Sequence, residues 1–346
     1  MRTKLMGLLC CAAILMCSCA QNTAGVTERK TKLAPSFAPL TEIRAGRRNL
    51  YIIVKNLDSD YWRVTLDGAK AAGNDYNCNI YYSGTYAESD WDLQAELLDD
   101  CVKKKADAVL IAPDDSVRLA PKVSEVYHKG IPVVLIDTTA NTDDYNICYM
   151  TDNLIAGQNA AAEMIDLMHR KGYDDASPVR IGVMVCTTTS QTINERLAGF
   201  FQYWAQNAPQ GWKIIQDIRC FEGTAEETVP YAEALMQEYP DITGVFGTND
   251  CTTAGLAKAL EENERTDIGI VGFDYSDEIM RLIRNPDFDA STIVQRQYDM
   301  SHDGVKAAMQ IINGKTMPVK FVDMGVVVVN DETLHSVKVQ KVLVHN

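Results

Sequence analysis

Hydrophobic positions from residue 49 onward fall into short runs separated by amphipathic stretches. The runs are Leu50–Val54, Ile80–Tyr82, Ala108–Ala112, Ile131–Ile136, Val179–Cys186, Ile214–Ile218, Ile242–Phe246, Ile268–Phe273 and Thr292–Val294. Most are rich in Val and Ile, as strands buried on both faces of a parallel sheet are. The stretches between them have helical spacing. In 88–104, Trp91, Leu93, Leu97, Leu98, Cys101 and Val102 gather on one side, with Glu88, Asp92, Glu96 and Lys103 on the other. Segments 153–169, 191–206, 226–238, 252–262 and 299–313 behave alike. Repeated strand–helix alternation predicts βαβ units, and thus an α/β protein with doubly wound parallel sheets. The strands are too numerous for one sheet of ordinary size and are expected to be shared between two.

The N-terminus has a different pattern. Arg2 and Lys4 precede an apolar stretch, Leu5–Met16, followed by the small residues Ser18 and Ala20. A basic start, a short apolar core and a small-residue exit describe an export signal. The stretch is too short to span a bilayer comfortably. Leu15-Met16-Cys17-Ser18-Cys19 resembles a bacterial lipobox, with Ser18 as the small residue before Cys19. The resemblance implies a signal peptide over 1–18, acylation of Cys19, and a lipid anchor and flexible tether over 19–48. Residues 20–48 are polar, carry Pro35 and Pro39 and have no sustained periodicity, as a linker does.

Composition narrows the function classes. Hydrophobic residues make up 46% and charged residues 23%, which is globular. The formal charge is −14. Loss of residues 1–18 removes Arg2 and Lys4 and no acid, which makes the body more negative still. That field repels phosphate backbones, so no nucleic-acid partner is expected. Six of the ten cysteines lie beyond the signal and anchor: Cys78, Cys101, Cys148, Cys186, Cys220 and Cys251. They form no C-x-x-C and have no nearby His pair, so no metal site is expected. Export permits disulfides, but several of the six lie in apolar runs such as Val183–Cys186, where a free thiol acts as a small hydrophobe.

Ligands of parallel α/β sheets bind beyond the carboxyl ends of the strands. The residues there are Lys55, Gly84, Pro113, Asp137-Thr138, Thr187 to Ser190, Asn249-Asp250, Asp274 and Gln295. Polar groups in both halves of the chain point to a small-molecule cleft between two α/β domains. Enzyme signatures are missing: there is no G-x-G-x-x-G after a strand, no G-x-S-x-G and no H-E-x-x-H. Gly314-Lys315-Thr316 follows a helical segment rather than opening one, and reads as a helix end with a turn. A binding protein without cofactor, rather than an enzyme, is expected.

Short segments in a fixed order carry a family resemblance: Leu57 to Trp62, IPVVLID at 131–137, TDN at 151–153, NERLAGF at 194–200, VFGTND at 245–250, IVGFD at 270–274 and STIVQ at 291–295. From about 49 to 330 the chain resembles the periplasmic sugar-binding proteins of ABC transporters, of the ribose-binding and LacI-like type 1 class. The resemblance implies two Rossmann-like lobes, 49–151 plus 296–327 and 152–295 plus 328–346, joined by three hinge strands. The crossings are expected near Thr151-Asp152, Gln295-Arg296 and Val326–Val328. Tyr61 and Trp62 would cover the apolar C–H face of a sugar ring. Asp137, Asp274, Asn249 and Gln295 would bind hydroxyls. Lys55, Ser59, Thr138 and Asn194 complete the expected ligand site.

The chain departs from the ribose-type pattern at three places. Thr138 and Asn194 stand where planar cations are expected, Arg196 fits a structural role, and Lys55 replaces a small polar residue. Lys55 with Asp137 is similar to the pairing in proteins that bind the furanosyl signal autoinducer-2. The resemblance implies a monomeric, lipid-anchored receptor facing the periplasm or outer cell surface, which delivers a sugar to ABC permease and ATPase subunits. The alternative is a sensor docking on a chemoreceptor or kinase. A repressor of the same class would need a basic helix-turn-helix where this chain has its signal and tether.

Overall fold

The computed structural model describes residues 36–87, 90–188, 190–221 and 223–346. The expected signal peptide and Cys19 lie outside these residues, and the tether expected over 19–48 is corrected at its end: Ala38–Pro39 already pairs with Tyr81–Tyr82 and Thr41 is buried, because the chain adds an edge strand to the first sheet there. The first half of the chain forms β1 (Ala38–Pro39), β2 (Asn49–Val54), α1 (Asp60–Asp75), β3 (Asn79–Gly84), α2 (Trp91–Lys103), β4 (Ala108–Ile111), α3 (Ala120–His128), β5 (Val133–Ile136) and β6 (Ile147–Met150). There follow α4 (Asn153–Arg170), β7 (Arg180–Val185), α5 (Gln191–Asn207), β8 (Lys213–Ile214), β9 (Arg219–Cys220), α6 (Ala225–Glu238), β10 (Gly244–Gly247), α7 (Asp250–Glu262), β11 (Gly269–Phe273), α8 (Asp277–Arg284) and β12 (Ala290–Gln295). The last elements are α9 (Gln297–Ile312), β13 (Phe321–Asp323), β14 (Val326–Val329) and α10 (Val337–Leu343).

The strands form two sheets, ordered β1-β3-β2-β4-β5-β6-β13 and β14-β12-β11-β10-β7-β8, with β9 also paired to β7. Pairing is parallel except for β1 on β3 and β14 on β12. Alternation within each strand divides the core. In β2, Leu50, Ile52 and Val54 join the apolar layer under α1 and α9, while Tyr51 and Ile53 join the layer under α2 and α3. The second sheet is covered in the same way by α4 and α5 on one face and by α6, α7, α8 and α10 on the other.

The chain passes between the sheets three times. It leaves β6 for α4 at Thr151-Asp152 and leaves β12 for α9, which packs on β4, β5 and β6, at Arg296. The third passage lies at Met324-Gly325, ahead of the expected Val326–Val328, all of which belong to β14 in the second sheet. Backbone bonding explains the shift. The Met324 N–H still donates to the Met150 carbonyl at 2.9 Å, and Gly325 then turns at φ +69, a left-handed conformation that glycine adopts freely. Buried Glu163 of α4 reinforces this end. Its carboxylate accepts from Arg170 and Ser291 (2.6 Å each) and from Asn330 at 3.0 Å, tying α4 to β12 and to the turn after β14.

Some elements lay outside the predicted pattern. β6 (ICYM) and β13 (FVD) carry too little contrast with their surroundings, β14 was expected only as a crossing at Val326–Val328, and the run Ile214–Ile218 supplies only the two-residue β8 before the short β9. Of the six cysteines of the folded body, four are buried: Cys78, Cys101, Cys148 and Cys186. Gly314, with φ +85, ends the turn after α9.

Helices α4 and α5 cross at backbone contact. A Cβ on Gly199 would lie 2.0 Å from the Leu154 carbonyl oxygen, and one on Gly157 would lie 2.1 Å from that of Arg196. Gly199→Ala is expected to force the helices apart at a cost of about 1–3 kcal/mol, read as a melting temperature several degrees lower by circular dichroism. An unchanged transition would show that the crossing is not limiting.

Candidate ligand-binding site

The site grows from strand ends. After β2 the chain turns inward at Lys55, which is 2% exposed. Its carbonyl accepts from the Thr85 hydroxyl. The first turn of α1 then brings Tyr61 and Trp62 beside it, ring centroids 5.0 Å apart and edge to face. The Lys55 ammonium lies 5.9 Å from the Trp62 ring centroid, within reach of a cation–π attraction.

Asp137 follows β5 in the left-handed region, at φ +63. Asp and Asn tolerate this conformation better than bulkier residues. Its N–H continues the ladder to the Tyr149 carbonyl at 2.9 Å while the side chain turns into the site. The carboxylate accepts from the Tyr61 hydroxyl at 2.6 Å and from Thr138 Oγ1 at 2.7 Å, and lies 3.1 Å from Lys55 Nζ. Burial opposes its charge, but the ammonium and the two hydroxyls prevail and hold the acid below the usual carboxylate range. Burial and the same carboxylate push the Tyr61 hydroxyl well above the ordinary tyrosine range.

The second lobe offers a counterpart. Asp274 follows β11 at φ +69 and is 4% exposed. Helix α8 is capped by Ser276 instead, which leaves the Asp274 carboxyl for the site. Its Oδ1 accepts from Gln295 Nε2 at 2.9 Å. Burial, with a contribution from Asp250, pushes this acid up to about 7, against the pull of Arg196. Arg196 on α5 is 3% exposed and stacks 3.8 Å from the Phe273 ring centroid. It donates to Asn153 Oδ1 at 2.8 Å and to the Thr248 carbonyl at 2.9 Å. Asn249 caps α7, its Oδ1 accepting from the Thr252 hydroxyl at 2.7 Å. The lobes also touch directly: Ser59 Oγ donates to Asp250 Oδ2 at 2.8 Å, and Thr139 Oγ1 donates to Gln191 Oε1 at 3.0 Å. Tyr61 feels the charges of both Asp137 and Asp274, so the two strand-end acids share one electrostatic site.

The structure thus gathers Lys55, Tyr61, Trp62, Asp137 and Thr138 from one lobe and Asn249, Asp274 and Gln295 from the other. Ser59 is placed at the lobe contact. Asn194 is a correction: it is exposed, and its amide donates to the Thr188 carbonyl at 3.0 Å. Residues two apart on a helix face roughly 200° from each other, so only one of 194 and 196 can turn inward. The inward one is Arg196, a planar cation that the sequence reading assigned to structure alone. Gln191 and Thr248 were also missed, and Asp250 was named as a strand-end residue but left out of the expected ligand set. Among the described residues, no cluster of His, Cys, Asp and Glu is arranged to hold a metal ion.

Two doubly wound lobes, three crossings and a polar site at facing strand ends define a two-lobed solute-binding protein. Comparison with known proteins agrees: residues 50–316 match the periplasmic binding protein domain, and the chain belongs to that family. The ribose import binding protein of Bacillus subtilis is 28% identical over 229 residues, covering 66% of this chain and 70% of that protein. The D-apiose import binding protein of Actinobacillus succinogenes is 25% identical over 283 residues, covering 81% and 87%. A carbohydrate transporter solute-binding protein from Agrobacterium radiobacter, solved with D-arabinose, superposes with a TM-score of 0.80 at 26% identity, covering 86% and 99%.

The two acids predict a pH dependence. A carboxyl raised by folding holds its proton to higher pH in the folded state than in the unfolded chain. Asp274 therefore subtracts stability progressively as pH rises from the ordinary Asp range toward about 7, and the loss is complete above it. Asp274→Asn removes this component, so the variant's melting temperature relative to the parent protein is expected to be higher at pH 8 than at pH 5, without sugar. Equal differences at both pH values would show that Asp274 does not titrate in this window.

Proposed function

We propose that this protein captures a neutral monosaccharide of pentose size between its lobes and delivers it to an ABC importer. The observation that carries the reading is the pair of left-handed strand-end acids, Asp137 and Asp274, facing one site beside Tyr61 and Trp62. Charged acceptors bind sugar hydroxyls strongly, and the Trp62 ring gives the apolar face of the sugar a flat partner. Lys55 and Arg196 offset the two acids, so an uncharged ligand leaves the buried site close to balance. Asn249 and Gln295 add directional amides. Ligand contacts from both lobes favour the closed arrangement, because only there are all of them made.

Relatives named for ribose and apiose import, and a neighbour holding arabinose, support a pentose and favour delivery over sensing. In this reading the permease and its ATPase respond to the closed form, and the protein works outside the cytoplasm as a monomer. Acylated Cys19 would anchor it to the membrane through the tether. Lys55 and Thr138, which depart from the ribose-type pattern, set the choice among pentoses.

A thermal-shift series with D-ribose, D-arabinose, D-apiose and D-fucose tests this. A sugar at about 100 times its Kd adds about 2.7 kcal/mol, a rise of roughly 4 °C for a body of this size. Asp137→Asn and Trp62→Ala are expected to abolish the rise while circular dichroism stays native. No response to any sugar from a folded protein would remove the monosaccharide reading.

A further inference from the structure

We infer that Asp250 is a positioning residue that couples lobe contact to the orientation of the Asn249 amide, with the Ser59 hydroxyl as the trigger on the opposite lobe. Ser59 occupies the N-cap position of α1, with φ −89 and ψ 136, yet its side chain makes no bond to its own helix. Such a serine ordinarily accepts from an N–H of the first turn. Here the hydroxyl is directed across the cleft and donates to Asp250 Oδ2 at 2.8 Å, between residues 191 apart in sequence. The other oxygen, Oδ1, accepts from Asn249 Nδ2 at 3.1 Å. The Asn249 carbonyl oxygen is committed to Thr252, whose hydroxyl lies 2.7 Å away, so the helix cap sets which end of the amide is oxygen. The amide nitrogen is therefore held between Asp250 Oδ1 and Cys251 Sγ, the latter at 3.2 Å, and one Asp250 oxygen is saturated only when the lobes meet.

A second contact has the same polarity. Thr139 Oγ1 of the first lobe donates to Gln191 Oε1 of the second at 3.0 Å, and Gln191 in turn donates to Glu195 at 2.7 Å. Both are hydroxyl donors on the first lobe and acceptors at or beside helix starts on the second. These bonds need no ligand, so they bias the sugar-free protein toward contact. Net hydrogen-bond contributions of this kind correspond to about a 2- to 10-fold change in the ratio of closed to open molecules. The role of Asn249 as a ligand amide rests on the proposed sugar site, whereas the coupling itself does not.

The test uses the full chain without sugar. Spin labels attached through non-cysteine chemistry at exposed Lys103 and Gln206, one on each lobe, report the interlobe distance. Selective labelling of asparagine reports the Asn249 side-chain amide by NMR. Ser59→Ala is expected to lower the closed-to-open ratio about 2- to 10-fold and to move the Asn249 amide resonance, and Ser59→Thr, which keeps the hydroxyl, is expected to restore both. Asp250→Ala should lower the ratio similarly, with no further loss in the double variant, as partners in one bond behave. An unchanged distance distribution, an unmoved Asn249 resonance in Ser59→Ala, or additive losses in the double variant would each overturn the inference. A failed sugar panel leaves every one of these readouts intact.

Discussion

A carboxylate taken out of water has to be met by donors, and Asp137 is met by Lys55, Tyr61 and Thr138. Much of the first lobe's cleft wall follows from that requirement. Tyr61 sits where it does because its hydroxyl serves Asp137 while its ring packs edge to face on Trp62. Lys55 is tolerated at 2% exposure because its charge is opposed by the same carboxylate. Removing either partner would strand the other in a dry site, the arrangement in which an unpaired charge is most costly. The donors come from β2, α1 and the turn after β5, so the pairing also fixes three separate segments against one another.

The second lobe repeats the geometry with a different electrostatic outcome. Asp274 shares the strand-end position and left-handed backbone of Asp137, but Gln295 is its direct donor, Arg196 is committed to Asn153 and Thr248, and Asp250 adds a like charge. One acid is held ionised and the other is pushed up to about 7. The two halves of the cleft therefore present a firm acceptor and a softer one that can share a proton. That difference arises from the surroundings of two residues with the same backbone role.

Closure geometry depends on how the sheets are joined. Arg196 reaches the site because α5 lies directly on α4 through Gly157 and Gly199, and α4 is fixed to β12 and the turn after β14 by Glu163. The residues that hold the hinge end are thus continuous with those that orient the guanidinium. The lobe contacts of Ser59 and Thr139 then act on strand ends already held by this framework.

Periodicity alone was enough for the α/β class, for the strands at the centres of the two sheets and for most of the strand-end polar residues that the structure brings together. Fully buried parallel strands write themselves as Val- and Ile-rich runs, and the residue after each run is where ligands meet such sheets. Lys55, Asp137, Asn249, Asp274 and Gln295 were legible for that reason. Strands such as β6 and β13 were not, because part of their backbone bonding comes from distant segments and their side chains show little contrast. Long-range packing was needed to turn Arg196 rather than Asn194 inward, to set the third passage at Gly325, and to direct Ser59 to Asp250 rather than to its own helix. Each is a choice between groups of similar local chemistry, settled by which distant backbone or carboxylate lies within hydrogen-bonding reach.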